Sequence, residues 1–188
     1  MLIAATTQAC KQSNTAANTT LSNADTSKFF SVSSFIKSEM QLLDSMPYYI
    51  YIQTTNANGR KDSVTLSKPG FDSLAQAFIQ LDIVALGLKD KYTEQSFQDL
   101  STNSITLNYL AADKSLPIQM IQVLLNADNS KVNRLYIKTF ESSAAGNVTK
   151  TYSWKAGKSF YIATAVQKEK QAEQITKQFV NWNDTNHL

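Results

Sequence analysis

Apolar residues in "SKFFSVSSFIKSEMQLLDSMP" recur at steps of three and four. Phe29, Val32, Ile36, Met40 and Leu43 form the stripe, and Phe35, Leu42 and Met46 widen it. That spacing predicts an amphipathic helix. Asp25, Thr26 or Ser27 can cap its start, and Pro47 stops it. A second stripe, Phe71, Leu74, Phe78 and Ile79 in "KPGFDSLAQAFIQLDI", predicts another helix with Pro69 in its first turn.

Between these helices the period changes. "YYIYIQTTNANGRKDSVTLS" holds two β-rich runs around Asn58-Gly59, a strong hairpin signal. A two-residue loop would put Ile50 and Ile52 on the opposite face from Val64 and Leu66. A three-residue loop, Ala57-Asn58-Gly59, pairs Ile52 with Val64 and Ile50 with Leu66, so one face becomes consistently apolar. The three-residue loop is therefore expected, with Gly59 left-handed in a bulge and Tyr49 and Tyr51 on the other face.

After the second helix, residues 85–98 read as an irregular connection. β-rich runs follow at Ser104–Ala111, Ile118–Ala127, Val132–Glu141, Thr149–Trp154 and Ser159–Val166, with "NADNS" and "SSAAGN" as turns. "EQITKQFVNWN" fits a helix or a strand. A strand is favoured because it closes the pattern beside Ser159–Val166. The runs "IYIQTTNANGRKDSVTLSKPGF" and "LYIKTFESSAAGNVTKTYSWKAGKSF" echo one another, through duplication or through the likeness of any two hairpins. The expected fold is α+β: two N-terminal-half helices packed on one face of a mostly antiparallel, meander-like sheet.

Composition narrows the class. The 188 residues suffice for a domain with a real core, given 43% hydrophobic and 10% aromatic residues. Charged residues make up only 18%, and Ser, Thr, Asn and Gln take their place, which leans toward a location outside the cytoplasm. Net charge is +3 with no basic run, so nucleic acid is not an expected partner. No apolar run approaches the roughly 18 residues that span a bilayer.

The single cysteine, Cys10, excludes an internal disulfide and thiolate metal clusters. Ala9 precedes it in "TTQAC", behind Leu-Ile-Ala-Ala. This resembles the lipobox of bacterial lipoproteins, and the resemblance implies that Cys10 is acylated. A signal peptide needs a positive start and roughly 7–15 apolar residues. The nine residues before Cys10 carry no charge, so a start upstream, or a shortened signal, is expected. The division is then 1–10 signal remnant and lipobox, 11–27 tether, and 28–188 a single α+β domain. The tether, "KQSNTAANTTLSNADTS", has no aromatic residue and a root-mean-square reach of roughly 20–25 Å. Lys11 after the cysteine is not the Asp that retains lipoproteins at the inner membrane, so the resemblance implies the outer membrane. The run "FFSVSSFIKSEMQLL", a hairpin, a helix and a C-terminal "VNW" also looks like small uncharacterised lipoproteins of the Bacteroidetes type. That likeness implies an envelope location and carries no known activity.

Candidate chemistry is sparse. The only histidine is His187, beside the C-terminus. Ser-His and Cys-His nucleophiles and His-rich zinc sites therefore have no support. There is no Walker loop, GxGxxG or G-x-S-x-G. "DNSKVN" resembles the start of a calcium loop but lacks its glycine and terminal Glu, so a turn is expected. No metal or cofactor is expected. Asp82, in "QLDIVAL", is the acid whose burial matters, and solvent at a helix end is its expected place. Tyr48, Tyr49, Tyr51, Tyr152, Trp154 and Tyr161 are aromatics on predicted strands; a few exposed in a row would suit sugar or peptide binding, and core or cross-strand pairs are the expected role.

These readings favour a non-enzymatic, membrane-anchored lipoprotein that is an accessory subunit of an outer-membrane protein. Lipid on Cys10 is its anchor, and Tyr49, Tyr51 and Trp154 are its candidate partner or ligand surface. The alternative is a carbohydrate- or lipophilic-ligand-binding module using the sheet face. A carboxylate-only hydrolase is the third reading, and it needs two acids roughly 5–10 Å apart across a cleft.

Overall fold

A computed structural model describes residues 29–185 of the chain. Cys10, the tract 11–27 and His187 lie outside the described residues.

Helix α1 spans Val32–Asp44. The side chain of Ser31 caps it by accepting from the Ser34 N–H at 3.2 Å. The cap thus falls later than Asp25, Thr26 or Ser27, and Phe29 and Phe30 precede the helix. Val32, Ile36 and Leu43 are buried, whereas Leu42 and Met46 are nearly half exposed and do not join the core. Helix α2 spans Lys68–Ile79, capped by Ser67, with Pro69 in the first turn. Proline is suited there, because that turn's N–H groups have no partner inside the helix. Phe71, Ala75 and Phe78 are its buried face.

Strands β1 (Tyr51–Thr55) and β2 (Lys61–Thr65) form the hairpin, with Ile52 opposite Val64. The Leu66 N–H donates to the Ile50 carbonyl at 2.8 Å. Asn56 N–H donates to the Arg60 carbonyl at 3.0 Å, which leaves Ala57-Asn58-Gly59 as the loop. Gly59 is left-handed, at φ +77°. The three-residue register is therefore the one adopted. Val64 stays 54% exposed, because β2 is an edge strand.

The stretch read as an irregular connection contains a short 3-10 turn, Lys89–Lys91, and strand β3, Tyr92–Asp99. Then come β4 (Ser104–Ala111), β5 (Ile118–Asn126), β6 (Val132–Ser143), β7 (Gly146–Lys155), β8 (Ser159–Gln167) and β9 (Gln174–Asn181). The last segment is a strand. "DNSKVN" turns β5 into β6. The echo ends at its Lys-x-Gly: Lys68-Pro69-Gly70 opens α2, whereas Lys155-Ala156-Gly157 turns β7 into β8.

The nine strands of the described residues make one open antiparallel sheet in the order β2-β1-β9-β8-β7-β6-β5-β4-β3. β3 to β9 are a meander, and the early hairpin joins it through the last strand. The fold is α+β and mostly sheet.

The register explains the core. Ile52, Val180, Phe160, Trp154, Leu135 and Val123 stand opposite one another in a line across six strands. None is more than 8% exposed. Trp154 and Phe160, directly opposite, stack at 4.7 Å between ring centres. Phe71 and Phe78 of α2 meet the Trp154 ring edge-on at 6.0 and 5.2 Å. From α1, Glu39 accepts from the Trp154 indole N–H at 3.0 Å. Such aromatic pairs each add about 0.5–1.5 kcal/mol beyond their burial.

Candidate functional site

Side chains alternate along a strand, so the residues between those of the core line face the other way. Three transverse rows of that second face follow from the register. The central row runs Gln53, Phe179, Tyr161, Ser153, Tyr136. One flanking row holds Tyr51, Asn181, Ser159, Lys155 and Arg134. The other holds Lys61, Thr55 and Lys177.

Across these rows lies a depression of about 1050 Å³. Its relief has a sequence cause. Ser153 and Ser159, both buried, put small side chains on β7 and β8. Tyr161 and Phe179 stand beside them on β8 and β9, and Tyr51 stands on β1, half exposed. Aromatic faces thus border a floor of hydroxyl groups.

One wall is fixed by an ion pair. Lys155 Nζ donates to both oxygens of Asp184, at 3.0 and 2.9 Å. Ser159 Oγ donates to Asp184 Oδ2 at 3.1 Å. The Asp184 side chain is fully buried, and Lys155 is a quarter exposed. Chain reversal after β9 brings the acid in: Asp184 N–H donates to Asn181 Oδ1 at 2.8 Å, and Asn181 Nδ2 donates to the Asp184 carbonyl at 3.0 Å. The other cations of the lining differ. Among the described residues, no carboxylate lies within ion-pair distance of Lys61, Arg134 or Lys177. Lys177 stands over the Tyr161 ring, 4.5 Å from its centre.

The residues singled out from sequence divide three ways. Tyr51 lines the depression. Tyr49, 76% exposed, borders a separate hollow of about 300 Å³ with Met46 and Tyr48. Trp154 joins neither: it is wholly buried on the opposite face, stacked on Phe160. Tyr152 is buried beside Phe78, on that same core face. Phe179, Lys61, Lys177, Arg134, Lys155 and Asp184 are lining residues that the sequence reading missed. Period-two alternation within β8 and β9 was the available signal for Phe179. The cations come from four strands and needed the strand order.

Two perturbed groups are structural. Asp82 is 1% exposed, not in solvent as expected. Burial pushes its carboxyl up, but hydrogen bonds from Ser33, Ser31 and Ala85 outweigh this and hold it below the ordinary range. Its Oδ2 accepts from Ser31 Oγ and the Ser33 N–H, both at 2.8 Å. It thereby ties the start of α1 to the loop after α2. Burial raises the Tyr109 phenol to about 12. Its oxygen accepts from the Phe30 N–H at 3.1 Å and donates to Glu94 Oε1 at 3.2 Å. Among the described residues, no group of three His, Cys, Asp or Glu side chains is placed to hold a metal ion. No described helix is long and apolar enough to cross a membrane.

No protein-family model, curated protein or solved structure matches this chain.

Proposed function

We propose that this chain is a non-enzymatic binding module, held at an outer membrane by lipid on Cys10, which binds through the depressed sheet face. In this reading both helices cover the other face. The partners of Phe71, Phe78 and Glu39 support that, since all lie on the Trp154 side. The observation that carries the reading is the depression itself. About 1050 Å³ is at the upper end of small-molecule sites. Aromatic faces with hydroxyl and amide groups between them suit ligands that stack and hydrogen-bond. Its carboxylate, Asp184, accepts from Lys155 and Ser159, an arrangement that positions a cation.

The accessory-subunit reading rests on a different feature. Met46, Tyr48 and Tyr49 are exposed side by side at the end of α1. A tether raises the effective concentration of such a patch toward a membrane neighbour.

Co-sedimentation of the purified chain with isolated host envelopes separates the two. Tyr51→Ala abolishes it if the depression is the binding face, and Met46→Ser with Tyr49→Ser abolishes it if the patch is. Insensitivity to Tyr51→Ala overturns the depression as the site. For the anchor, mass spectrometry of the native protein shows acyl chains on Cys10. A soluble native protein with an unmodified thiol overturns that part.

A further inference from the structure

We infer that the occupant of the depression is an acidic oligosaccharide, one ring on Tyr51 and its carboxylates on Arg134, Lys177 and Lys61. This rests on the binding-face reading above. The first argument is charge. Four cations and one carboxylate line the depression, an excess of three. The whole chain also has a net charge of +3. Basic and acidic residues therefore balance elsewhere, and the surplus is gathered on this face.

The second argument is placement. Lys155 is committed to Asp184, which leaves three cations without a carboxylate partner among the described residues. They stand in the two flanking rows, with the aromatic row between them. Alternate residues on a strand are about 6.6 Å apart, so the flanking rows are about 13 Å apart. From Lys61 on β2 to Arg134 on β6 is five strand spacings, about 24 Å. Cations that far apart on both sides of an aromatic strip suit an elongated ligand with repeated negative charges. One small anion can lie between Lys61 and Lys177, which flank Thr55 about 10 Å apart, but Arg134, three strand spacings beyond Lys177 and in the other row, needs a second negative charge.

The third argument separates glycan from nucleic acid. A strand of nucleic acid needs a cationic track that follows its backbone. Here the floor between the cations is made of Ser153, Ser159, Gln53, Asn181 and Thr55. Ser159 and Asn181 are engaged by Asp184, and Ser153, Gln53 and Thr55 are the side chains that can donate and accept, as sugar hydroxyls require. Arg134 can take a carboxylate through two parallel N–H bonds.

The test is calorimetric titration of the full chain with tetramers of galacturonate, mannuronate and glucuronate. Maltotetraose and an eight-residue oligothymidylate are the comparison ligands. At least one uronate tetramer binds, and binding weakens with added salt. Arg134→Gln and Lys177→Gln each weaken it about tenfold, the loss of one charge-assisted contact, with the melting temperature unchanged. Tyr51→Ala weakens it as well. Equal binding of maltotetraose, indifferent to Arg134→Gln, overturns the acidic ligand and leaves the binding face standing. Equal or tighter binding of the oligothymidylate overturns the glycan. If no tetramer binds while Tyr51→Ala still abolishes envelope co-sedimentation, the inference fails and the binding face survives. If Tyr51→Ala changes neither, both fall.

Discussion

The indole N–H of Trp154 donates to Glu39 Oε2 at 3.0 Å, although 115 positions of chain separate them. The same oxygen accepts the Gly157 N–H at 2.6 Å. One carboxylate therefore satisfies the largest core side chain and the turn from β7 to β8. Glu39→Ala should leave the indole donor without its acceptor and cost about 1–3 kcal/mol. Glu39→Gln keeps an acceptor and should cost less. Urea denaturation of both variants checks this, and a loss under about 0.5 kcal/mol for the alanine would show that the bond contributes nothing.

The Lys155–Asp184 pair should respond asymmetrically. Lys155→Ala takes the cation from a fully buried carboxylate, which keeps the Ser159 hydroxyl, and should cost up to about 3–5 kcal/mol. Asp184→Ala leaves an ammonium that is a quarter exposed and can reach water, so it should cost clearly less. Equal losses in chemical denaturation would mean that the acid is not the more deeply committed partner.

Asp82 makes stability depend on acid. Its folded-state pKa lies below the ordinary value, so its contribution is present above about pH 4 and is lost as pH falls through the folded pKa. Asp82→Asn should lower stability by about 1–3 kcal/mol at neutral pH. The gap from the parent should then narrow below pH 4. Denaturation curves at pH 7 and pH 3 measure it, and a gap independent of pH would remove the charge from the explanation.

Two left-handed glycines should differ. Gly59, at φ +77°, has nothing within 4 Å of an added Cβ. Gly59→Ala should cost about 1 kcal/mol, the backbone term alone. At Gly146, φ +125°, the added Cβ would sit 2.6 Å from the Gln167 carbonyl oxygen. Gly146→Ala should therefore lower the melting temperature considerably more. Similar shifts for the two variants would count against that close approach.

The hairpin register was legible because only one loop length puts Ile50, Ile52, Val64 and Leu66 on one face. Strand β3 was not. In "YTEQSFQD" the large apolar residues are Tyr92 and Phe97, five apart and so on opposite faces. An edge strand with a 64% exposed Phe97 needs no alternation. Asp82 stood out as an acid among apolar neighbours, but its partners Ser31 and Ser33 are 51 and 49 positions away. For Trp154, alternation in β7 pairs it with Tyr152 on one face. It does not say which face α2 covers, so alternation alone leaves the tryptophan open between core and surface. Arg134, Lys61 and Lys177 lie on β6, β2 and β9, and their meeting depends wholly on strand order.

That strand order also sets when the molecule becomes complete. A chain emerges from the ribosome, or from a translocation channel, N-terminus first. The β1–β2 hairpin is then made early and has no neighbour in the sheet. Its neighbour is β9, the last of the described strands in chain order, and Ile52 must wait for Val180. An isolated hairpin of this size is marginal in water. Long-range pairings of this kind close late in folding. Phe179 and Lys177 are carried on the same late strand, so the depression is assembled in the final step. Until β9 pairs, a nascent chain holds neither the joined sheet nor the finished depression, because that strand completes both.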